Sequence, residues 1–286
     1  MSAKRWPGFA KEGRLNMTDF QRTLLTGAAG ELGTQLRKSG TKLGKTVRLS
    51  ALTPFDDLAP HEEDAPADLA DFDAVSEAVK GCDAIIHMGG QGLEGPWQKV
   101  LDSNIIGSYN VYEAARRHGV KRIIYASSVH AIGYYERTET IDANVPTRPD
   151  SLYGVSKTFT ENLARYYFDK FGIESACIRI GSCFAEPTDR RHLITWLSYR
   201  DCRQLVEKAL AAPRVGFMVA YGMSNNSEAF WDNRSAAVLG YKPQDSADDY
   251  REKVLAKTTQ GDPNDPAVRF QGGSFCAAGH YEDEHK

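Results

Sequence analysis

The sequence lacks a long hydrophobic run and carries little net charge. No apolar stretch approaches the roughly 20 residues of a membrane-spanning helix, and the first residues lack the apolar core of a secretion signal. The net charge of −3 gives no electrostatic reason to expect a nucleic acid or an anionic membrane as a partner. We therefore expect neither partner, and we expect a cytoplasmic location.

Cysteine is also sparse. The chain has five cysteines, an odd number without the paired spacing of zinc sites: Cys82, Cys177, Cys183, Cys202 and Cys276. Reduced thiols of a cytosolic protein explain them most simply, and no metal site is expected. The remaining composition, with 41% hydrophobic and 26% charged residues in 286, is that of a globular chain that can bury a large core.

Apolar runs alternate with helical patterns along most of the chain, which predicts an α/β fold built on a doubly wound parallel Rossmann sheet. We expect a loosely ordered tail over 1–18, a dinucleotide-binding domain over 19–181, and a small substrate-binding region over 182–286, packed on the same core. Strands are predicted over 22–26, 46–50, 65–68, 82–88, 121–126 and 174–180. Helices are predicted from the glycine turn that ends at Gly33 to about Lys38, and over 72–79, 97–118 in two pieces, and 151–171.

A glycine-rich turn joins the first strand to the first helix. Gly27, Gly30 and Gly33 follow each other at intervals of three. Glycine lets the backbone turn tightly and approach a pyrophosphate closely, and the strand–turn–helix context favours dinucleotide binding. The alternative is a plain turn in which the glycines serve packing.

The end of the second strand bears on the choice of cofactor. An acid there would accept hydrogen bonds from the ribose of NAD, but Ala51 occupies the position. Two interpretations remain open: acceptance of NADP, with Ser50 and Arg48 assisting a 2′-phosphate, or a weaker NAD site held by backbone contacts. Asp68 and Leu69 are candidates for the adenine pocket.

Tyr153 and Lys157 form a candidate acid–base pair. A spacing of four places both on one face of the predicted helix. A phenol ionises near pH ~10, and a neighbouring cation lowers that pKa. Such a pair can remove a hydroxyl proton, and Ser128, after the fifth strand, can bond the reacting oxygen. The pair alone is weak evidence, since this spacing is common on helices.

Two further polar residues have competing interpretations. His130 lies two residues beyond Ser128, which favours a substrate contact over a loop histidine satisfied by its neighbours. Asn104 is taken as a contact on the cofactor side, although its amide could instead bond helix backbone. Ser127 is expected to be structural.

Several strings resemble known families. The glycine spacing and Tyr153-x-x-x-Lys157 resemble the extended short-chain dehydrogenase/reductase superfamily, which is similar to the NAD-dependent epimerases and dehydratases. Longer strings between about Arg22 and Phe275 resemble the uronate dehydrogenases. They include Asn104-Ile-Ile-Gly107, Ala126-Ser-Ser-x-His130, Arg148-Pro-Asp-x-Leu-Tyr-Gly-Val-Ser-Lys157, Arg179-Ile-Gly-Ser-Cys183 and Val268-Arg-Phe-Gln-Gly-Gly-Ser-Phe275.

This resemblance implies oxidation of D-glucuronate and D-galacturonate at C1 to the aldarolactone, with hydride transfer to NAD(P)+. It implies catalysis by Tyr153, Lys157 and Ser128, and a homo-oligomer formed through the helices around 97–118 and 151–171. The implied substrate-binding residues are Gly92, Ser128, Val129, His130, Tyr153, Ser182 and Arg191. The implied cofactor-binding residues are Gly27, Gly30, Glu31, Leu32, Gly33, Ser50, Ala51, Asp68, Leu69, Met88, Gly89, Gly90, Asn104, Tyr153, Lys157 and Ile180.

The chain also departs from the family pattern. Gly92 and Val129 stand where family members usually carry serine and asparagine, so affinity or epimer preference is expected to differ. Arg191, rather than the adjacent Arg190, aligns with the family's substrate-binding arginine. The rival functions are a sugar-nucleotide epimerase or dehydratase and a non-catalytic NAD(P)-binding regulator. A sugar-nucleotide epimerase or dehydratase is less expected, because such enzymes need a larger C-terminal region to hold the nucleotide than the about one hundred residues that follow Gly181. The intact Ser128, Tyr153 and Lys157 argue against the regulator.

Overall fold

The structure is a computed structural model that describes residues 20–284, so the tail expected over 1–18 lies outside the described residues. Its centre is a parallel seven-stranded sheet with the order β3-β2-β1-β4-β5-β6-β9, and β7 and β8 form a separate pair. The strands are β1 (Arg22–Thr26), β2 (Thr46–Ser50), β3 (Glu62–Asp64), β4 (Ala84–His87), β5 (Arg122–Ser128), β6 (Glu174–Ile180), β7 (Ser182–Cys183), β8 (Trp196–Leu197) and β9 (Phe217–Gly222).

Helices connect these strands and cover the sheet. The α-helices are α1 (Glu31–Arg37), α2 (Phe72–Val79), α3 (Trp97–Val100), α4 (Gly107–His118), α5 (Leu152–Phe171), α6 (His192–Thr195), α7 (Tyr199–Ala211), α8 (Arg234–Val238), α9 (Arg251–Leu255), α10 (Pro266–Arg269), α11 (Ser274–Ala277) and α12 (Tyr281–Glu284). A π-helical segment, Leu101–Ile106, joins α3 to α4 without a break. Within the described part of the chain, no helix is both long enough and apolar enough to cross a membrane.

Apolar side chains fill both faces of the sheet. On one face, Leu36 of α1 and Leu205 of α7 pack against strand residues such as Leu25. On the other face, helices α2, α4 and α5 bury residues such as Val111 and Ala164 in a second cluster. Helices on both sides remove the apolar surface of the parallel strands from water on both faces. This burial stabilises the sheet. It confirms the predicted doubly wound Rossmann fold.

The chain reverses its direction across the sheet between β1 and β4. Such a reversal leaves a crevice at the carboxyl ends of the strands, where ligands bind in open α/β sheets. Gly27 directly follows β1 and adopts φ +66°, and a Cβ there would lie 2.7 Å from the Cα of Gly89. Glycine is therefore required where the two loops meet at the crevice.

The third strand lies earlier than expected. It covers Glu62–Asp64 instead of 65–68, because it is an edge strand that needs no apolar side chains. Its acidic side chains form ion pairs instead: Glu63 accepts hydrogen bonds from Arg22 at 2.9 Å and from Arg48 at 3.1 Å.

Strand β9 lies in the region over 182–286, in which no strand was predicted. It pairs with β6 in parallel along its whole length, from Ser175 opposite Phe217 to Ile180 opposite Gly222. Residues beyond 181 therefore complete the central sheet as well as covering its carboxyl edge.

Candidate active site

A cavity of about 620 Å³ opens at the carboxyl ends of β1, β4, β5 and β6. The start of α5 and the segment around Gly272 close its sides. Most residues proposed from the sequence lie on its wall. They are Gly27, Gly30, Glu31, Leu32, Gly33, Met88, Gly90, Gly92, Ser128, Val129, His130, Tyr153, Lys157, Ile180, Ser182 and Arg191.

Helix α5 presents Tyr153 and Lys157 to this cavity. Ser151 caps the helix, its Oγ accepting a hydrogen bond from the backbone N–H of Gly154 at 3.0 Å. The Lys157 Nζ donates to the carbonyl of Ala126 in β5 at 2.8 Å and lies 5.3 Å from the centroid of the Tyr153 ring. The helix is thus fixed to the strand that carries Ser128.

Burial sets the protonation of this pair. It raises the pKa of Tyr153 to about 12, an effect that hydrogen bonding by Ser128 partly offsets. Burial also lowers the pKa of Lys157 to about 8, while Glu161 acts to raise it. In the protein alone the pKa of Tyr153 is therefore raised and not lowered as expected, because desolvation disfavours the phenolate.

His130 is held by contacts on two sides. Its Nδ1 lies 2.8 Å from Oδ2 of Asp150, and its ring stacks on Phe275 with the centroids 3.9 Å apart. Asp150 is buried so tightly that a Cβ on Gly133 or Gly272 would lie within about 2 Å of its Oδ2. The histidine is thus both a satisfied loop residue and part of the cavity wall.

Arg191 carries a buried charge with an incomplete set of partners. Its Nε donates to the carbonyl of Gln271 at 2.8 Å, and its Nη1 donates to the Ser182 Oγ at 3.2 Å. Its Nη2 is buried and has no hydrogen-bond partner. Burial lowers the pKa of Arg191 to about 10, so the group remains charged at neutral pH. Because an unpaired buried cation is costly, the site is suited to an anion.

The adjacent arginine has a different environment. Arg190 donates to the carbonyl of Thr258 at 3.1 Å and to Oε1 of Gln260 at 3.2 Å, and it does not line the cavity. Of the two adjacent arginines, Arg191 is therefore the one that lines the cavity.

The glycine turn fits a dinucleotide. A Cβ on Gly33 would lie 2.2 Å from the carbonyl oxygen of Gly27, so only glycine allows this close approach of backbone segments. Gly27, Gly30 and Gly33 all line the cavity, and the turn leaves room there for a pyrophosphate beside the backbone.

Six proposed cofactor residues do not line the cavity: Ser50, Ala51, Asp68, Leu69, Gly89 and Asn104. Backbone bonds hold the first two at the same edge of the sheet, with Ala28 donating to the carbonyl of Ser50 and Ala67 to that of Ala51. The side chain of Leu69 packs next to Gly89.

Asn104, predicted as a contact on the cofactor side, bonds protein groups in the structure. Its Oδ1 accepts from the backbone N–H of Gln91 at 2.7 Å, and its Nδ2 donates to the Gln91 carbonyl at 3.1 Å and the Ser156 Oγ at 2.9 Å. The amide is satisfied by protein and fixes the loop after β4 to α5.

The expected assistance of Arg48 to a 2′-phosphate is wrong. Its guanidinium donates to Glu63 and to the carbonyls of Ala78 and Lys80. These partners precede β4, so they lie at the amino edge of the sheet, opposite to the cavity.

Comparison with known proteins agrees with this geometry. The model of the NAD dependent epimerase/dehydratase family matches residues 23–204. The uronate dehydrogenase of Pseudomonas syringae pv. tomato is 50% identical over 271 residues, covering 93% of this chain and 97% of that protein. The chain belongs to this family and, within it, to the uronate dehydrogenases.

Two solved structures of uronate-oxidising relatives have the same fold. The glucuronic acid dehydrogenase from Chromohalobacter salexigens is 51% identical, with a TM-score of 0.90, over 92% of this chain and 99% of that one. A mutant uronate dehydrogenase from Agrobacterium tumefaciens complexed with NAD is 49% identical, with a TM-score of 0.87, over 91% and 98% of the chains. The resemblance inferred from the sequence is confirmed.

The two departures from the uronate dehydrogenase pattern have different surroundings. A Cβ on Gly92 would meet no atom within 4 Å, so the position has room for a side chain. Val129 is 3% exposed and packs in an apolar cluster with Ile132 and Tyr135. The first departure leaves open space, whereas the second belongs to the core.

Sequence reasoning assigned no site role to one wall of the cavity. Gly272, Ser274 and Phe275 line it, and so do Phe184 and His192. The string Gln271-Gly-Gly-Ser-Phe275 carried the family resemblance and was the available signal. Tertiary contacts of Gln271 hold this string at the cavity. Its side chain donates to the carbonyls of Glu136 and Glu139 and accepts from the indole N–H of Trp231.

Proposed function

We propose that this protein is an NAD-dependent uronate dehydrogenase that oxidises D-glucuronate and D-galacturonate at C1 to the aldarolactone. The observation that carries the proposal is the buried, partly unpartnered guanidinium of Arg191 in the same cavity as Ser128, Tyr153 and Lys157. An alcohol-oxidising set and an anion-binding cation in one cavity fit a sugar that carries a carboxylate.

Arg191 and Ser182 would bind the substrate carboxylate. A guanidinium offers parallel N–H donors that match a carboxylate, and the free Nη2 has such a donor available. The Ser182 Oγ lies 3.2 Å from Nη1 and 2.8 Å from Oγ1 of Thr195, so its place is fixed before the substrate arrives. Held at this end, the sugar presents its C1 hydroxyl to the other side of the cavity.

Tyr153 would take the proton of the C1 hydroxyl while Ser128 holds the oxygen in place. Lys157, still largely protonated at neutral pH, stabilises the phenolate as it forms. A bound NAD+ would supply the hydride acceptor, and loss of the hydride from C1 and of the hydroxyl proton to Tyr153 would convert the cyclic hemiacetal into a lactone. His130, fixed by Asp150, would contact the sugar beside the reacting carbon.

We also propose that NAD is preferred and that NADP is accepted weakly. Ala51 removes the carboxylate that would repel a 2′-phosphate. Arg48, the cation expected to bind that phosphate, is instead bonded to Glu63. Steady-state kinetics with both cofactors test this point, and a preference for NADP would contradict it.

The test of the function is an initial-rate assay of nicotinamide reduction with a panel of substrates. Glucuronate and galacturonate should give turnover, whereas glucose and a nucleotide sugar should give little. Tyr153→Phe should retain cofactor binding and lose nearly all turnover, because it removes only the phenolic hydroxyl. Absence of turnover with both uronates would refute the proposal.

We further propose a homo-oligomer formed through α4 and α5. These helices leave large apolar side chains exposed, among them Tyr109, Val155, Tyr166 and Phe171, each at least 42% accessible. A second copy that covers this face would remove their apolar surface from water. Light scattering on the purified protein tests it, and a monomer at micromolar concentration would contradict it.

A cytoplasmic location is the remaining part of the proposal. All five cysteines are free and buried, as expected for a protein folded under reducing conditions. Fractionation of the source cells, with the protein recovered outside the cytoplasmic fraction, would contradict it.

A further inference from the structure

A buried ion pair lies behind the proposed catalytic residues. In α5, Glu161 is 5% exposed, and in β6, Arg179 is 2% exposed. Two hydrogen bonds join them, from Arg179 Nε to Oε1 at 2.9 Å and from Nη2 to Oε2 at 2.8 Å. Neither residue lines the cavity, so the pair has no direct contact with a ligand there.

The same carboxylate connects to the strand that carries Ser128. The Oγ of Ser127 donates to Glu161 Oε1 at 2.6 Å. Charge-assisted bonds of this kind are short and strong, and the buried carboxylate has three of them. Through Ser127, the ion pair fixes the end of β5 relative to α5, where Ser128 and Tyr153 must meet.

Glu161 also lies one helical turn beyond Lys157. This spacing places the two side chains on the same face of α5, and the carboxylate acts to raise the pKa of Lys157 against the effect of burial. The other titratable groups that face Lys157 carry no compensating negative charge. They are Tyr125, Tyr153 and His87. The ring centroids of the two tyrosines lie 5.1 and 5.3 Å from Nζ, and burial raises both of their pKa values, so they stay neutral. Burial lowers the pKa of His87 to about 3, so the histidine is neutral too.

We propose that Glu161 is a positioning residue for the reaction: held by Arg179 and Ser127, its carboxylate keeps Lys157 in the charged form and fixes the end of β5 against α5. The cluster contains two cations and one anion, so loss of the anion leaves two buried positive charges. Lys157 is the one that can release its proton, because arginine stays protonated throughout the working pH range. The catalytic importance of this effect rests on the proposed function, whereas the effect on Lys157 itself does not.

Titration of Lys157 in the protein without ligands tests the proposal directly. Lysine labelled with ¹³C at Cε gives a resonance that follows protonation, and Lys157→Met assigns the signal. In Glu161→Gln we expect the midpoint to fall by about one pH unit or more, as for loss of a nearby opposite charge. Unchanged midpoints would overturn the proposal.

A double variant separates the effect on Lys157 from a loss of folding stability. Glu161→Gln leaves Arg179 unpaired in the interior, which can destabilise the protein strongly. Glu161→Gln combined with Arg179→Met removes the pair as a unit, and its Lys157 midpoint should lie between those of the single variant and the unmodified protein. A purely structural role for the pair predicts the same midpoint in the double variant and the unmodified protein.

The pH profile of turnover gives the second readout. Activity should decline at alkaline pH as Lys157 loses its proton, and in Glu161→Gln this decline should move to lower pH by the same interval as the titration midpoint. Glu161→Asp keeps the negative charge, so its alkaline decline should lie close to that of the unmodified protein. If the uronates are not turned over at all, the proposed function fails, but the titration midpoints still decide the effect of Glu161.

Discussion

Replacement of Arg191 by methionine tests how the substrate is recognised. Methionine retains much of the apolar stem but removes the guanidinium, including the buried Nη2 that has no partner in the protein. In our account this nitrogen donates to the substrate carboxylate. The variant should therefore bind uronates weakly, while the cofactor side of the cavity, around Gly27 and Gly33, is unaffected.

The size of the effect follows from that contact. A hydrogen bond to a charged group contributes about 1.5–3 kcal/mol net. At about 1.4 kcal/mol per tenfold change, the KM for glucuronate should rise by a factor of 10 to 150. The kcat should change much less, because the carboxylate is bound equally before and during the reaction. Preference for glucuronate over glucose should fall by the same factor.

Initial rates of nicotinamide reduction over a range of glucuronate concentrations provide the assay, and Arg190→Met is the matched control. Arg190 is the neighbouring residue, but its guanidinium bonds Thr258 and Gln260 away from the cavity. Its replacement should change KM less than twofold, since it removes only partly exposed contacts. An unchanged KM in Arg191→Met, or equal effects in both variants, would refute the reasoning.

Three further predictions follow from other parts of the site. Gly33→Ala should weaken binding of reduced NAD, followed by fluorescence, by about tenfold or more, or about 1.4 kcal/mol, because its Cβ would lie 2.2 Å from the Gly27 carbonyl oxygen. Gly92→Ser should raise kcat/KM for a uronate about 2- to 10-fold, the value of one added hydrogen bond, since a Cβ there meets no atom within 4 Å. Lys157→Met should abolish turnover yet stabilise the fold below pH 8, by roughly 3 kcal/mol before the lost bond to Ala126 is counted.

The sign of the last effect follows from proton linkage. The folded protein lowers the pKa of Lys157 from 10.5 to about 8, so its buried charge destabilises the fold fully below pH 8. The penalty disappears as pH rises from about 8 to 10.5, so the stabilisation of Lys157→Met over the unmodified protein should be lost over that interval, which leaves the cost of the missing bond to Ala126. A constant difference would contradict the buried cation. Normal cofactor affinity in Gly33→Ala or reduced uronate turnover in Gly92→Ser would contradict the other two predictions.

Local patterns predicted the regular part of the fold well. The bounds of β1, β2 and β6 agree with the sequence prediction, because buried parallel strands are short apolar runs flanked by turn residues. The two misjudged strands, β3 and β9, both lie at edges of the sheet. An edge strand is partly solvated, so its residues need not follow the apolar pattern.

From the residues alone, without the family resemblance, the candidate site was predictable only where it is local in sequence. Tyr153, Lys157 and the glycine turn have fixed spacings within single elements, and the structure places all of them on one cavity. Asp150 contacts His130 across 20 residues of irregular chain. The wall formed by Phe275 depends on contacts between segments more than a hundred residues apart, such as Gly272 donating to the carbonyl of Gly133. The raised pKa of Tyr153 also escaped prediction, because it results from burial, which depends on tertiary packing.

The central claim is that Tyr153 and Arg191 together direct oxidation to C1 of a uronic acid. Carbon-13 NMR of a reaction with glucuronate labelled at C1 tests it most directly when the reduced cofactor is measured in the same sample. Our account predicts that the labelled carbon becomes a lactone carbonyl, with one reduced nicotinamide formed for each lactone. The account would be contradicted if the labelled carbon remained a hemiacetal carbon, or if the sugar changed configuration without net reduction of the cofactor.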